Sequence, residues 1–555
     1  MKSIPLVLAF AAFAPSLQAQ GFKTSEASYV SAIPGNNFTF EPLITVGDRV
    51  PLTGGGATEE YAFAGIPDAM GIYRDAVSLQ NILFVAHEMP SGTLSQPIPG
   101  AVKYKGAFVS RYVLGNDGGI VTGAPAHKNL FLENLPVAAR PPQEGDSNAF
   151  TRFCSGSFAG TKQGMDRPLF FTNEESGSGN YDGDVLGSQS VVIADGNMHT
   201  LPALGRIARE STVVQPRRDT ITSVIMTEDG GSPSYVYFYV GQKKRSGSVL
   251  DKNGLTGGKI YVLASATANQ ENEGTFSTGS LAMKWVEIPN AAAKTSTQLM
   301  AAADLAGGFG FVRVEDTEFD PVQPTRSLFV ATTGGSGPNR LGRLYELTLT
   351  ATNPVGPATM TVVYNADRTA TPGGTYTGTP GRLNSTNGAT GSMGNYNNGV
   401  LNNGMDFPVS IDNIAVSKDF IVVCEDRNSP ADAVFSKYGR FGGVWTLDRN
   451  NNYAARYQGD FNYPYAEARD GHAASRLGAG LWETSGVISS DEAFGPGTFV
   501  INVQAHLQNV TLYGGTQTNS MRSNAPNGTG GVLSRSEAQS RFAEDGQVIL
   551  MRPKP

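Results

Sequence analysis

Six short apolar segments of this chain end abruptly in acids, amides, hydroxyl residues or histidine. Repetition of one strand type is typical of architectures in which each repeat forms one supersecondary unit. The segments are spaced by roughly 50 to 100 residues, which is blade-sized once loop insertions are allowed. They are residues 82–88, 169–175, 224–229, 328–334, 420–426 and 499–506.

A second strand type opens with glycine and then places an aromatic or β-branched residue, beginning at Gly106, Gly258, Gly342 and Gly442. A propeller blade needs this pairing, because an inner strand buried on both faces is followed by a neighbour that packs large side chains. Only 16% of the residues are charged and 67 are glycine, which favours short strands joined by tight turns. We predict an all-β fold, a β-propeller of about six blades with long loop insertions, whose inner strands are the six apolar segments.

Stacked β-sandwich domains also repeat short strands and stay open as an alternative. Sandwich strands end in opposite directions and have no reason to finish alike, whereas blade strands can bring equivalent ends to one rim of a channel. The stretch 371–404 is rich in Gly, Asn, Ser and Thr and lacks periodicity, so we expect a surface insertion there. We predict a single propeller domain over residues 20–555.

Residues 1–19 have the basic, apolar and small-residue order of a secretory signal peptide. We therefore expect export to the periplasm or the medium. No later stretch has the ~18 to 20 uninterrupted apolar residues of a membrane helix, so we expect no stable membrane insertion. The net charge of −7 and the absence of a basic cluster beyond 243–245 argue against a nucleic-acid partner, and we expect a monomer.

Carboxylates that converge from separate strands repel each other unless they are solvated, protonated or bound to cations. Oxygen-rich sites suit Ca²⁺, while a thiolate in the same site favours iron or zinc. Cys154 lies in a polar turn, whereas Cys424 lies in an apolar strand and resembles a small core residue. A disulfide between the two stays open.

Other hydrolase signatures are weak. The sequence has no Gly-x-Ser-x-Gly elbow with a suitably placed histidine, no His-Glu-x-x-His and no Walker-type loop. Only five histidines are present, which argues against a zinc site built on histidine. A glycosidase carboxylate pair stays open, because sequence does not measure the separation of two acids.

Short motifs that contain the cysteine turn and the acids occur in a fixed order across most of the chain. They are 153–156 (FCSG), 171–175 (FTNEE), 204–210 (LGRIARE), 227–229 (TED), 311–316 (FVRVED), 412–414 (DNI), 482–486 (WETSG) and 499–506 (FVINVQAH). Each motif is short, but their shared order resembles that of the PhoX-type alkaline phosphatase family. The resemblance implies a propeller that holds a calcium and iron cluster and hydrolyses small phosphate monoesters.

The resemblance also implies roles for single residues. Cys154 would be the iron thiolate ligand, Glu210, Glu315 and Asp412 cluster carboxylates, and Arg313 a phosphate-binding cation, with Arg313, Glu315 and Cys154 as the catalytic group. Further metal ligands would be Glu174, Glu175, Glu228, Asp229 and Glu483. The chain departs from the family motifs at Ser157, Arg209, Ile411 and Ala505.

Two other functions stay open. One is a calcium-binding surface or adhesion propeller without turnover, and the other is a propeller hydrolase of another ester class. A structural calcium site needs neither a thiolate nor a guanidinium, so Cys154 and Arg313 favour the phosphatase.

Overall fold

The structure is a computed structural model. It describes residues 21–177, 184, 186–230, 233–267, 272–335, 337, 339–369, 396–397, 400–401, 407–426, 442–462, 465, 482–506 and 521–555. The signal peptide predicted for residues 1–19 lies outside this part of the chain.

The chain up to Thr200 forms two blades, which follow four N-terminal strands. Its strands are β1 (Val30–Ala32), β2 (Phe38–Thr45), β3 (Arg49–Pro51), β4 (Glu60–Ala62), β5 (Pro67–Arg74), β6 (Asn81–His87), β7 (Leu94–Ser95), β8 (Tyr104–Lys105), β9 (Phe108–Leu114), β10 (Ile120–Pro125), β11 (Asn129–Leu132), β12 (Leu135–Ala138), β13 (Phe153–Ala159), β14 (Leu169–Glu174), β15 (Ser190–Ala194) and β16 (Asn197–Thr200). Blade 1 has the order β5-β6-β9-β10, and blade 2 has the order β13-β14-β15-β16-β11-β12.

Blades 3 and 4 form one continuous sheet of nine strands. They contain β17 (Arg209–Val214), β18 (Ile221–Glu228), β19 (Val236–Gln242), β20 (Lys259–Ser265), β21 (Ser280–Ile288), β22 (Val314–Phe319), β23 (Ser327–Thr332), β24 (Arg343–Thr348) and β25 (Ala358–Asn365). The outermost strands β21 and β25 pair with each other, so the two blades share an edge. This pairing removes two exposed sheet edges.

The last third of the chain forms blades 5 and 6. Its strands are β26 (Tyr396–Asn397), β27 (Val400–Leu401), β28 (Ile411–Val416), β29 (Phe420–Glu425), β30 (Gly443–Asp448), β31 (Ala454–Phe461), β32 (Trp482–Glu483), β33 (Val487–Ser489), β34 (Phe499–Ala505) and β35 (Asp545–Pro553). The N-terminal strand β1 completes blade 5 beside β31, and β2 completes blade 6 beside β35. Strands from both ends of the described chain thus hold the ring closed.

Helices are few and short. They are α1 (Val249–Lys252), α2 (Ser296–Leu305), α3 (Ala366–Thr369), α4 (Asp491–Phe494) and α5 (Arg535–Phe542), with 3₁₀ turns at Thr161–Gln163, Pro202–Leu204 and Ala291–Ala293. Thr295 and Gln298 form a capping box that starts α2, and Ser534 and Glu537 do the same for α5. Within the described residues, no helix is long and apolar enough to cross a membrane.

The predicted all-β propeller of six blades is confirmed, but the predicted inner strands were wrong. The strands that contact one another around the centre are β5, β13, β17, β22, β28 and β33, in that order and back to β5. The six apolar segments are the second strands of the blades, β6, β14, β18, β23, β29 and β34. They are nearly continuously buried because each lies between two strands and packs on neighbouring blades over both faces.

Aromatic side chains fill the spaces between blades. Phe84 of blade 1 stacks on Phe170 of blade 2 with ring centroids 4.9 Å apart. Trp445 stacks on Tyr457 at 4.3 Å inside blade 5. Such pairs add about 0.5–1.5 kcal/mol each beyond the area they bury. Blade-to-blade packing therefore stabilises the ring on which the central residues are mounted.

Two further expectations concern the cysteines and the insertion. Cys154 and Cys424 are both free thiols, so they do not form a disulfide. Of the predicted insertion 371–404, the structure describes only the small β26–β27 pair, and the rest lies outside the described residues. The single domain over 20–555 stays a prediction.

Candidate active site

Five of the six inner strands begin with the same β-bulge. In each, the second and third residues together face one residue of the second strand, so the ladder is interrupted at the same position in these five blades. Bulges re-aim side chains and are common next to active sites. The second residues of the five strands are Asp68, Cys154, Glu210, Glu315 and Asp412.

A second ring of side chains comes from the ends of the second strands. The residue that follows each of these six strands is Glu88, Glu175, Asp229, Thr333, Asp426 or His506. In four blades its backbone N–H donates to the carbonyl of the residue just before the inner strand, as in Glu88 to Ile66 at 2.8 Å and Glu175 to Arg152 at 3.0 Å. The polar residues that end the apolar segments of the sequence thus include site residues, and these lie one position after the end of the strand.

All members of the first ring except Asp68, and all of the second except Thr333, line one cavity of about 770 Å³. Eight of the ten predicted site residues line it: Cys154, Glu175, Glu210, Asp229, Arg313, Glu315, Asp412 and Glu483. The helix α5 and the segment before β8 contribute Gln539, Ser540 and Lys103 to the outer wall. The lining therefore contains many more acidic than basic side chains.

Glu174 and Glu228 do not line the cavity, because each is the last residue of its strand and points the opposite way from its successor. Glu174 accepts hydrogen bonds from the backbone N–H groups of Thr151 at 3.0 Å and Gln189 at 3.2 Å. Glu228 accepts from the Tyr237 hydroxyl at 3.1 Å, and burial raises its pKa to about 8. Their roles as metal ligands stay predictions.

Several lining residues were missed in the sequence, namely Glu88, Arg152, Asp426, His506 and Glu544. Asp68 was also missed, although its carboxylate accepts from the Cys154 thiol at 3.4 Å. Asp68 is the second residue of β5, as Asp412 is of β28. That equivalence becomes visible only once the bulges are known.

Three overlapping groups of side chains have ligand atoms within 4.8 Å of one another. They are Asp68, Glu88 and Cys154; Cys154, Glu175 and Glu210; and Glu210, Glu315 and Asp412. Cys154 and Glu210 each belong to two groups, so the three form one continuous chain of donors. Carboxylates with one thiolate are a donor set for hard cations together with a softer metal.

Two of the buried acids in the first ring have a carboxylate oxygen that accepts no hydrogen bond from the described residues. Among the described residues, Asp68 Oδ1 and Glu210 Oε1 are buried without a hydrogen-bond partner. Burial, together with the charges of neighbouring acids, raises the pKa of both carboxyls well above the ordinary range. Burial and the same acids also raise the pKa of the Cys154 thiol. Cations bound here would reverse these shifts and satisfy the free oxygens.

Arg313 carries a positive charge that lies among the carboxylates lining the cavity. Its guanidinium lies 3.1 Å from both Asp229 and Glu315 and 3.8 Å from Asp426. The pKa of Arg313 is raised, chiefly by Glu315, so it is always charged. About a third of its side chain is exposed to the cavity, which leaves donors free for an anion.

Gln504 and His506 connect the last blade to the site. Gln504 Nε2 donates to Asp68 Oδ2 at 2.8 Å and to Glu88 Oε2 at 3.0 Å, which joins blade 6 to blade 1. His506 Nδ1 lies 2.7 Å from Glu544 Oε2. Burial alone would lower the pKa of His506, but the contact with Glu544 and the nearby acids raise it to about 9.

The departures from the family motifs lie around the acids rather than among them. Ser157 donates to the carbonyl of Thr212 at 2.6 Å and links blades 2 and 3. Arg209 is fully buried and donates to the carbonyl of Leu204 at 2.7 Å. Ile411 and Ala505 are buried apolar residues next to the site. None of the four lines the cavity.

Comparison with known proteins identifies the family and the fold. A family model described as alkaline phosphatase PhoX matches residues 195–504, more than half of the chain. No curated protein matches the sequence. The chain is similar in fold to Pseudomonas fluorescens PhoX, solved in complex with vanadate, a transition state analogue, with a TM-score of 0.58 and 13% sequence identity over 96% of this chain and 98% of that one. The predicted family is thereby confirmed, and the chain belongs to the PhoX family of alkaline phosphatases.

Proposed function

We propose that this phosphatase is exported and hydrolyses phosphate monoesters at a calcium and iron cluster held in the propeller channel. The observation that carries the proposal is that Cys154, Glu210, Glu315 and Asp412, one from each of four blades, line a single cavity with Arg313. The vanadate bound to the Pseudomonas fluorescens protein supports the same chemistry for this fold.

The residues fit such a cluster. The three donor groups, the partnerless oxygens of Asp68 and Glu210, and the excess of buried acids all require positive charge among them. Cys154 would hold iron, because a buried thiolate between carboxylates is a softer ligand than calcium needs. The surrounding carboxylates would hold calcium, with Glu88, Glu175 and Glu483 at the edges of the cluster.

The protein's own residues bind and orient the ester. When bound, the cations neutralise the phosphate dianion and lower the pKa of a bound water, so that no covalent serine or threonine intermediate is needed. Arg313 donates to the non-bridging oxygens while Asp229 and Glu315 hold its plane. Thr333 donates to Glu315 Oε1 at 2.5 Å and fixes that carboxylate in turn.

The experiment is metal analysis of the purified mature protein together with turnover of p-nitrophenyl phosphate. We expect both calcium and iron in the wild type. We expect iron to be lost from Cys154→Ala and turnover to fall at least about a hundredfold in Arg313→Ala with metal content unchanged. Signal-peptide removal before Gln20 is checked by mass spectrometry of the exported protein.

The second cysteine offers a matched control. Cys424→Ala removes a buried thiol that lies outside the cavity, so we expect a modest loss of stability with iron content and turnover retained. Calcium without iron and without turnover would instead identify a calcium-stabilised propeller that is not an active phosphatase.

A further inference from the structure

The residue just before the inner strand has an unusual backbone conformation in four blades. Ile66, Arg152, Arg313 and Ser410 have φ values of 50, 44, 52 and 49°, in the left-handed region that non-glycine residues rarely adopt. Each lies two residues before a member of the first ring, namely Asp68, Cys154, Glu315 and Asp412, and each carbonyl accepts the N–H of the residue after the second strand. The four positions are therefore equivalent in the blade repeat.

Arg152 consequently occupies in blade 2 the position that Arg313 occupies in blade 4. Both arginines line the cavity, whereas Ile66 is an apolar lining residue and Ser410 does not reach it. A left-handed non-glycine residue costs about 1–3 kcal/mol and is typical of functional sites. Glycine would adopt this backbone conformation without that cost. The presence of arginine at two of the equivalent positions therefore indicates that its side chain has a role in the cavity.

The two guanidinium groups differ in their surroundings. Arg313 lies within 4 Å of three carboxylates, while Arg152 contacts one, Glu175 Oε2, at 3.8 Å. Arg152 also donates to the backbone carbonyl of Glu175. Its side chain is 44% exposed, against 32% for Arg313. Arg152 therefore contacts fewer carboxylates than Arg313 and is more exposed.

We propose that Arg152 is a second guanidinium that binds the anionic phosphate ester, acting from blade 2 as Arg313 acts from blade 4. This inference rests on the proposed phosphatase function. Two guanidinium groups on different blades bind the oxygens of one phosphate from two sides, which orients the ester in addition to neutralising it.

The test uses Arg152→Gly in the full mature protein loaded with calcium and iron. Glycine removes the side chain and also relieves the backbone, so the variant is expected to melt at the same temperature as the wild type or higher. We expect KM for p-nitrophenyl phosphate and the inhibition constant of inorganic phosphate to rise at least about tenfold, with metal content unchanged. Arg152→Lys is expected to recover only part of the loss, because lysine keeps the positive charge but lacks the planar guanidinium that donates two parallel hydrogen bonds.

Arg140→Ala is the matched control, since Arg140 is a similarly exposed arginine that pairs with Asp146 at 2.6 Å and does not line the cavity. It should change neither constant. If Arg152→Gly keeps both constants within twofold, or loses metal in proportion to its activity, the inference is overturned.

Calorimetric titration with inorganic phosphate separates this inference from the proposed function. If the wild type has no turnover but binds phosphate in an Arg152-dependent way, hydrolysis fails and the anion site stands. Turnover that is independent of Arg152 rejects the inference alone, and absence of both turnover and phosphate binding rejects both.

Discussion

Glu273 Oε2 accepts a 2.7 Å hydrogen bond from the backbone N–H of Val312, the residue before Arg313. In blades 2 and 5 the corresponding N–H groups, of Thr151 and Val409, are bound by the last residues of the second strands, Glu174 and Glu425. Blade 4 has Thr332 at that strand end, so a glutamate from another segment supplies the carboxylate. Glu273 therefore holds the left-handed turn that presents Arg313.

Glu273→Ala is expected to loosen this turn. The variant loses hydrogen bonds to Val312, Tyr345 and Asn339, all of them buried, which should cost about 1–3 kcal/mol of unfolding free energy. Displacement of Arg313 should also raise KM for p-nitrophenyl phosphate several-fold with metal content unchanged. Steady-state kinetics and urea unfolding on the same preparation check both effects.

Asp367→Ala is a control in the same blade. Asp367 is buried and accepts from the N–H of Arg340 at 2.9 Å, but it does not line the cavity. It should lose stability without a change in KM. An equal rise of KM in both variants would mean that Glu273 acts on stability alone.

Metal removal should reverse the pH dependence of stability. In the metal-free protein, burial raises the pKa of Glu210, Glu315 and Asp412 well above their ordinary range, and neighbouring carboxylates raise it further. A carboxyl with a raised folded pKa contributes stability below its unfolded pKa and loses that contribution as the pH rises through the folded value. The chelated protein should therefore melt higher at pH 5 than at pH 8.

The metal-loaded protein should behave in the opposite way, because protons compete with cations for the same carboxylates. Melting temperatures measured at pH 5 and pH 8, with and without a chelator, compare the pH dependence of stability in the two forms. Chelation that lowers the melting temperature equally at both pH values would contradict cation binding by these acids.

The sequence predicted the blades well because the second strands are continuous apolar runs. The segment from Ile421 to Cys424, for example, is a continuous apolar run that predicts a core strand, and it is buried throughout. The inner strands could not be found in the same way. Strand β17, for example, reads Arg-Glu-Ser-Thr-Val-Val, which contains no continuous apolar run.

The site was predicted through motifs, and the errors follow from strand geometry. Glu174 and Glu175 are adjacent, but only Glu175 faces the cavity, because successive side chains of extended backbone point to opposite faces. Which of two neighbouring acids faces inward depends on where the strand ends, and sequence places strand ends only within a few residues. Arg152 was missed because its equivalence to Arg313 depends on backbone conformation.

Gly71 of the inner strand β5 should not tolerate a side chain. A Cβ atom at this position would lie 2.7 Å from Phe170 Cδ2, inside the packed boundary between blades 1 and 2. Gly71→Ala must displace a fully buried ring that stacks on Phe84, which we expect to cost about 1–3 kcal/mol. Thermal unfolding checks this, and Gly92→Ala, where no atom lies within 4 Å of the added carbon, is the control.

Arg522 should hold the closure of the ring. Its buried guanidinium lies 2.8 Å from Asp48 and 3.1 Å from Glu26, and it donates to the carbonyl of Val46 at 3.0 Å. These contacts join the segment after β34 to the N-terminal segments on either side of β2. Arg522→Met would leave two buried acids without this cation, which should cost about 3–5 kcal/mol of unfolding free energy.

The double variant Arg522→Met with Asp48→Asn should recover part of that loss, because one of the two uncompensated charges is then removed. Recovery is expected to be incomplete, since Glu26 keeps its charge and Asp48 also accepts the N–H of Thr45 at 2.8 Å. Urea unfolding of the wild type and of all three variants gives the coupling energy. A single-variant loss below about 1 kcal/mol would show that β2 and β35 close the ring through their ladder alone.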